Sequence, residues 1–287
     1  MEPIVYGILF GGLLALAGIG FALVYGVLDI VNLAHGVFIA LGGYISYWLV
    51  TLLGLNIWIT LPINFCVMLF VGYYYQKILI QRVVKEQILY VFALTFGASL
   101  FIQNLMTNLW TNNYRAIELA CRAKAFEFLD VRIPYVRLIV FLVATALTVS
   151  VHFFIQYTKT GRAIRAVRDS RFTSELLGVN IKKIYAITMA IACGLAGVAG
   201  GLLLTLRPIS PLIDLEWTVF SFIVVVFGGA GSVMGSLLGG IVLGIIIMAT
   251  SWYISQGLAV GVAFAVFIGI LIFKPTGFFG EEHEVQY

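Results

Sequence analysis

Asp29, Asn32 and His35 fall together in Tyr25-Gly-Val-Leu-Asp-Ile-Val-Asn-Leu-Ala-His-Gly-Val37, between two long apolar runs. A carboxylate, an amide and an imidazole so placed can hydrogen-bond water or a small solute. Polar, irregular backbone at membrane depth survives only where protein or water satisfies it, and such breaks often mark a substrate path. The same spacing also suits an ordinary turn between two spans, with Asp29 and His35 wet. Enzymatic chemistry finds no footing. His35, His152 and His283 are scattered without metal-ligand spacing. No nucleophile–base pair presents itself, and no chain of intramembrane carboxylates suggests a proton relay. A G-x-x-x-x-G-K-[ST] phosphate loop is absent, so the expectation is a chain with no cofactor that cannot cradle ATP itself.

Three further patterns carry information. In Gly161-Arg-Ala-Ile-Arg-Ala-Val-Arg168, residues Arg162, Arg165 and Arg168 recur every three positions, so a helix would gather them on one broad face with Ile164 and Val167 turned away. Such a face also suits a basic helix lying against anionic headgroups. In Thr173-Ser-Glu-Leu-Leu-Gly-Val-Asn-Ile-Lys182, Ser170 or Thr173 can cap a short helix that Gly178 ends. Leu176, Leu177 and Ile181 then become apolar knobs on a charged loop, which either dock another protein or pack back on the bundle. Glycines repeat every four residues at Gly197 and Gly201, at Gly231, Gly235 and Gly239, and at Gly240 and Gly244, a spacing that brings helices close in lipid. Phe227-Gly-Gly-Ala-Gly-Ser232 is denser; Gly228, Gly229 and Gly231 predict a break that could line a pathway.

These patterns sit on a chain built for lipid. Of 287 residues, 62% are hydrophobic and 10% charged, against roughly 25% charged in soluble domains. A span needs about 20 apolar residues. The runs Ile4–Leu28, Val37–Leu55, Trp58–Ile80, Ile88–Trp110, Tyr135–Tyr157, Tyr185–Leu206, Met234–Trp252 and Leu258–Phe273 qualify or nearly so. Trp217–Phe227 is short, a half-helix or a tilted piece fused with the next run. None alternates as a barrel strand does. The predicted fold is an all-α polytopic membrane protein of about 8–9 transmembrane helices, one short or broken. One transmembrane domain is expected over 1–280, with a cytoplasmic loop at 158–184 and a short polar tail at 281–287. The first run is too long for a signal core and Glu2 precedes it, so it reads as a retained helix. Cys66, Cys121 and Cys193 form no motif. Lys159, Arg162, Arg165, Arg168, Arg171, Lys182 and Lys183 outweigh Asp169 and Glu175. That loop and the turn at Arg82 and Lys85 are therefore expected in the cytoplasm. Thr111–Pro134 and the N-terminus fall outside, and the C-terminus inside if Trp217–Phe227 counts as a crossing.

In order and at family spacing, these segments resemble the permeases of branched-chain amino acid ABC importers, the LivH/LivM type, and the LivH branch most. The resemblance runs nearly end to end. It rests on Tyr25-Gly with Asn32-Leu-Ala-His-Gly36, Thr95-Phe-Gly97, Ile102-Gln-Asn104 and Gly161-Arg-Ala-x-Arg-Ala166. Leu177-Gly-Val-Asn180, Ala196-Gly-x-Ala-Gly200, Phe227-Gly-Gly-x-Gly-Ser232 and Lys274-Pro-Thr-Gly277 complete it. It implies an inner-membrane subunit that pairs with a second permease or a copy of itself, with two cytoplasmic ABC ATPases and with an extracytoplasmic binding protein. Ser174–Ile181 occupies the position of the coupling helix gripped by the ATPases, and Glu175 and Gly178 match its sparse pattern. Arg162, Arg165, Leu176 and Leu177 would serve coupling. Asn32, His35 and Gly36, with Gly228, Gly229 and Gly231, would line the pathway. Val37 stands where the family usually carries an acidic or polar residue, and the outer loop is unusual. Urea and short-chain amide importers share much of the pattern. From another class, a self-sufficient channel or ion-coupled transporter would need carboxylates that the spans scarcely offer. A membrane subunit without transport is also compatible with the composition.

Overall fold

The computed structural model describes residues 1–84, 86–119, 124–128, 131–229 and 231–273. Lys85, Cys121, Arg122, Asp130, His283, the Lys274–Gly277 motif and the 281–287 tail lie outside the described residues. The chain is an all-α polytopic bundle, with eight helices long and apolar enough to cross a membrane. In order these are α1 (Glu2–Leu28), α2 (His35–Leu53) and α3 (Ile57–Tyr75), which runs through a π turn (Gln76–Ile80) into α4 (Gln81–Val83). Next come α5 (Ile88–Trp110) and α6 (Tyr135–Tyr157), then two short helices, α7 (Lys159–Asp169) and α8 (Arg171–Leu176). The chain continues through α9 (Ile181–Leu206), α10 (Asp214–Gly228), α11 (Val233–Tyr253) and α12 (Ala259–Phe273). The expected spans at 88–110 and 135–157 are met at both ends. The short run is α10, entered through a 3₁₀ turn at Pro211–Ile213. The 111–134 loop adds an antiparallel hairpin, β1 (Ala125–Phe128) against β2 (Val131–Pro134), which the sequence does not announce.

Residue size decides which helices lie at the centre. In lipid an apolar residue gains little by turning inward, so close backbone packing through small residues drives association. The α1 helix carries Gly7, Gly11, Gly12, Ala15, Ala17, Gly18, Gly20 and Ala22, and it is buried on nearly every side. The α9 helix is likewise rich in glycine and alanine and likewise buried. Gly240 and Gly244 of α11 lie against Ala15 and against Gly7 and Gly11. Gly197 and Gly200 of α9 lie against Met68 and Asn64 of α3 and against Ile39 and Gly43 of α2. By contrast α5 presents Phe96, Leu100, Phe101, Leu105 and Leu109 outward and lies at the edge.

Asn64 on Gly197, and Gly72 beside Met189, show that α3 and α9 run antiparallel. The α3–α4 segment, with Arg82, therefore ends where α9 begins. The N-terminus lies at the opposite end, where Tyr6 meets Arg137 at the start of α6. The short α10 does return the chain to the α7–α8 end, and Leu271 of α12 lines a cavity there with Arg168.

Candidate functional site

The polar break after α1 runs from the α7–α8 end, where Arg171 meets the Leu28 carbonyl, back to mid-depth at His35. His35 Nε2 donates to the Ala17 carbonyl, 2.9 Å away and about halfway along α1. A methyl group on Gly20 would meet both the His35 ring and the Ala192 carbonyl, the latter about halfway along α9. Helix α2 therefore starts inside the bundle. Asn32 holds the approach: its Oδ1 accepts from the Ala34 amide and from the Tyr75 hydroxyl, each at 3.2 Å. Its Nδ2 faces the Met189 sulfur at 3.8 Å. Gly36 donates its amide to Thr218 Oγ1 at 2.9 Å, and any Cβ there would collide with the Asp214 carbonyl oxygen. Asn32 is 2% exposed and His35 1%. Asn32 and His35 Nε2 hydrogen-bond inside the chain and fix where α2 begins. Asp29 is exposed, at the α1 C-cap.

The second break, after α10, lies at the α7–α8 end. Gly228 packs against Gly235 with no room for a side chain, and Gly229 and Gly231 take φ of 81° and 74°. Those left-handed angles favour glycine. Ser232 then caps α11 by accepting from the Gly235 amide.

Arginines of α7 and α8 bind both this break and the ends of two spans. Arg165 donates to the Ile155 carbonyl at 2.7 Å and to Gln156 Oε1 at 2.6 Å, closing α6. Arg168 donates to the Gly231 carbonyl at 3.3 Å. Arg171 donates to the Leu28 carbonyl at 2.8 Å, closing α1. Cationic donors suit the orphan carbonyls and the negative dipole of a helix C-terminus. The three surround a cavity of about 990 Å³, with apolar walls that include Phe222, Val225 and Leu271. Arg162 is exposed. The expected apolar back of α7 is present as buried Gly161, Ile164 and Val167.

Helix α8 is capped by Ser170, which accepts from the Thr173 amide at 3.2 Å, and is followed by Gly178 at φ 82°. Leu176 is 71% exposed and Leu177 77%, so neither packs back on the bundle. Phe172 is exposed beside them, as is Glu175, while Ile181 is half-buried.

Sequence reasoning missed one constellation. Asp214, the first residue of α10, accepts from Ser99 Oγ at 3.1 Å and Gln103 Nε2 at 2.9 Å, about halfway along α5. The signal was a lone carboxylate ahead of a short apolar run; its partners lie on a helix that reads only as a span. Among the described residues no group of three or more metal-ligating side chains occurs.

Apolar spans packed through small residues, with two breaks and an arginine-tied end, define a multi-pass helical membrane protein. The chain belongs to the family described as branched-chain amino acid transport system / permease component, whose profile matches residues 4–273. It is similar to the high-affinity branched-chain amino acid transport system permease protein LivH of Escherichia coli K12, at 28% identity over 98% of this chain and 95% of that one. The corresponding protein BraD of Pseudomonas aeruginosa is 29% identical over the same shares. A probable branched-chain amino acid transport permease protein LivM of Methanocaldococcus jannaschii is 29% identical over 44% of this chain and 41% of its own length. No solved structure matches.

Proposed function

We propose that this chain is the permease subunit of an ABC importer in the inner membrane. It forms half of an alternating-access path for branched-chain or related small amino acids. A second permease of the LivM kind, or a copy of itself, supplies the other half. Two cytoplasmic ATPases drive it, and an extracytoplasmic binding protein delivers the solute. The observation that carries this reading is the pair Leu176 and Leu177, exposed on a capped helix next to arginines that hold the ends of α1 and α6 and the α10–α11 break. A partner that grips α8 thereby pulls on several spans at once. Arg162 and Glu175 supply charge around the grip, and Gly178 ends it. Gly228, Gly229 and Gly231 form the pivot. Asn32, His35 and Gly36 keep the mid-depth junction in register as the spans tilt.

Leu177→Asp tests it. Loss of a buried apolar anchor at an interface costs about 2 kcal/mol or more, roughly thirtyfold in affinity, and an unpaired buried charge adds to that. The variant should insert and fold at parent yield, since Leu177 touches little of the bundle, but should lose the ATPases on co-purification. Lys183→Ala should keep them. ATPase retention by Leu177→Asp at the parent level would sink the coupling assignment.

A further inference from the structure

A carboxylate at mid-depth is a costly group to keep in a span, and those that persist pair with a cation or serve a pathway. Asp214 is 7% exposed, and its two hydrogen bonds come from the neutral donors Ser99 and Gln103. Among the described residues the ion pairs are Arg168–Asp169 and Arg207–Glu216, neither of which involves it. A carboxylate has about four acceptor positions, so lone pairs remain for a further donor. The half-buried Gln103 covers it from the α5 side.

The same helix carries a second anomaly. From Gln103, polar residues step around the outward side of α5 toward the end with the 111–134 loop: half-buried Thr107, then exposed Asn104 and Asn108, interleaved with the exposed Leu100, Phe101 and Leu105. Gly97 lies on that exposed face with nothing packed over it. Asn104 spends one amide hydrogen on the Leu100 carbonyl of its own helix. Acyl chains cannot satisfy the remaining amide groups, and an unsatisfied amide in hydrocarbon is strongly disfavoured. The face therefore meets water or protein, and the carboxylate lies at its inner end.

We propose that the Gln103–Asn108 face of α5 lines an aqueous path, and that Asp214 is its cation-selecting residue, meeting the ammonium group of a passing amino acid. This rests on the permease reading and sharpens it. A zwitterion offers Asp214 three ammonium hydrogens, whereas urea and simple amides carry no cation for it to meet. The contact is made by one carboxylate already shared with two neutral donors, which suits a group that must let the solute go.

The test uses the assembled complex in sealed vesicles, with Cys66, Cys121 and Cys193 replaced by alanine and Asn104→Cys introduced. Two methanethiosulfonates of similar size are compared, one with a trimethylammonium head and one with a sulfonate head. Both should react from water. The cationic reagent should be favoured by about tenfold over its ratio on a free thiol, as expected for a charged, low-dielectric cleft. Asp214→Asn, which can keep both hydrogen bonds, should return the ratio to the free-thiol value and cut leucine uptake while the ATPases stay bound. In the parent, leucine but not 4-methylpentanoate should slow the labelling, a measurement that needs no variant at Asp214. No labelling by either reagent overturns the aqueous path. A ratio or an uptake rate unchanged by Asp214→Asn overturns the role of the carboxylate. A parent complex that imports no amino acid defeats the permease reading and the ammonium assignment, while the labelling ratio still decides the cation-selective path.

Discussion

A methyl group at Gly36 would sit on the Asp214 carbonyl oxygen and against Thr218. Helix backbones cannot rotate away as a side-chain end can, so Gly36→Ala must push α2 and α10 apart. Overpacking of this kind costs about 1–3 kcal/mol. The melting temperature in detergent should drop and uptake should fail. Gly97→Ala, in the interior of α5 on a face with nothing within 4 Å, should instead stabilise by about 0.5–1 kcal/mol, since alanine loses less backbone freedom in a helix. At this scale the sequence is half informative. Asn32, His35 and Gly36 stand out because polar residues between apolar runs need satisfying. What satisfies them does not stand out: the Ala17 carbonyl and the Tyr75 hydroxyl belong to segments that read only as spans. Asp214 escapes notice because the sequence does not mark the depth at which a helix begins.

The α7–α8 element makes its contacts through Arg165, Arg168 and Arg171, each donating to a carbonyl of a different segment. Periodicity in the sequence predicts the shared basic face and the apolar back. It cannot pick the acceptors, because every residue owns a carbonyl and only the fold decides which are left open at helix ends. Arg168→Ala removes the tie to Gly231 and leaves Leu176 and Leu177 untouched. A hydrogen bond from a charged donor is worth about 1.5 kcal/mol, roughly tenfold in an equilibrium. The variant should retain the ATPases and hydrolyse ATP, with solute moved per ATP lowered by up to about tenfold. Simultaneous measurement of uptake and phosphate release checks this, and a parent ratio would show that the Gly229–Gly231 break is not driven through Arg168.

Across the whole molecule, the ends of the bundle sort the loops. The N-terminus and the β1–β2 hairpin share one end, while α7, α8 and the α10–α11 break share the other. Membrane-impermeant thiol reagents should therefore reach Lys124→Cys from one side and Glu175→Cys only from the other, with Glu175 cytoplasmic by its basic surroundings. Reaction of both from outside would overturn the assignment. Span number and this sorting are legible because the apolar runs and the basic bias are properties of the chain itself. Helix α1 as the centre is less so, since its glycines read as packing without naming partners. That centre has a consequence for synthesis. Helix α1, enclosed as fully as α9, is made well before Gly240 and Gly244, which fit its glycine face, and before Arg171, which closes its end. In the interval α1 must persist in the bilayer without these partners, which its mean hydropathy of 2.3 allows. The stripe formed by Gly7 and Gly11 stays bare until α11 is made. Helix α11 completes an interface whose first half has been waiting since α1 entered the bilayer.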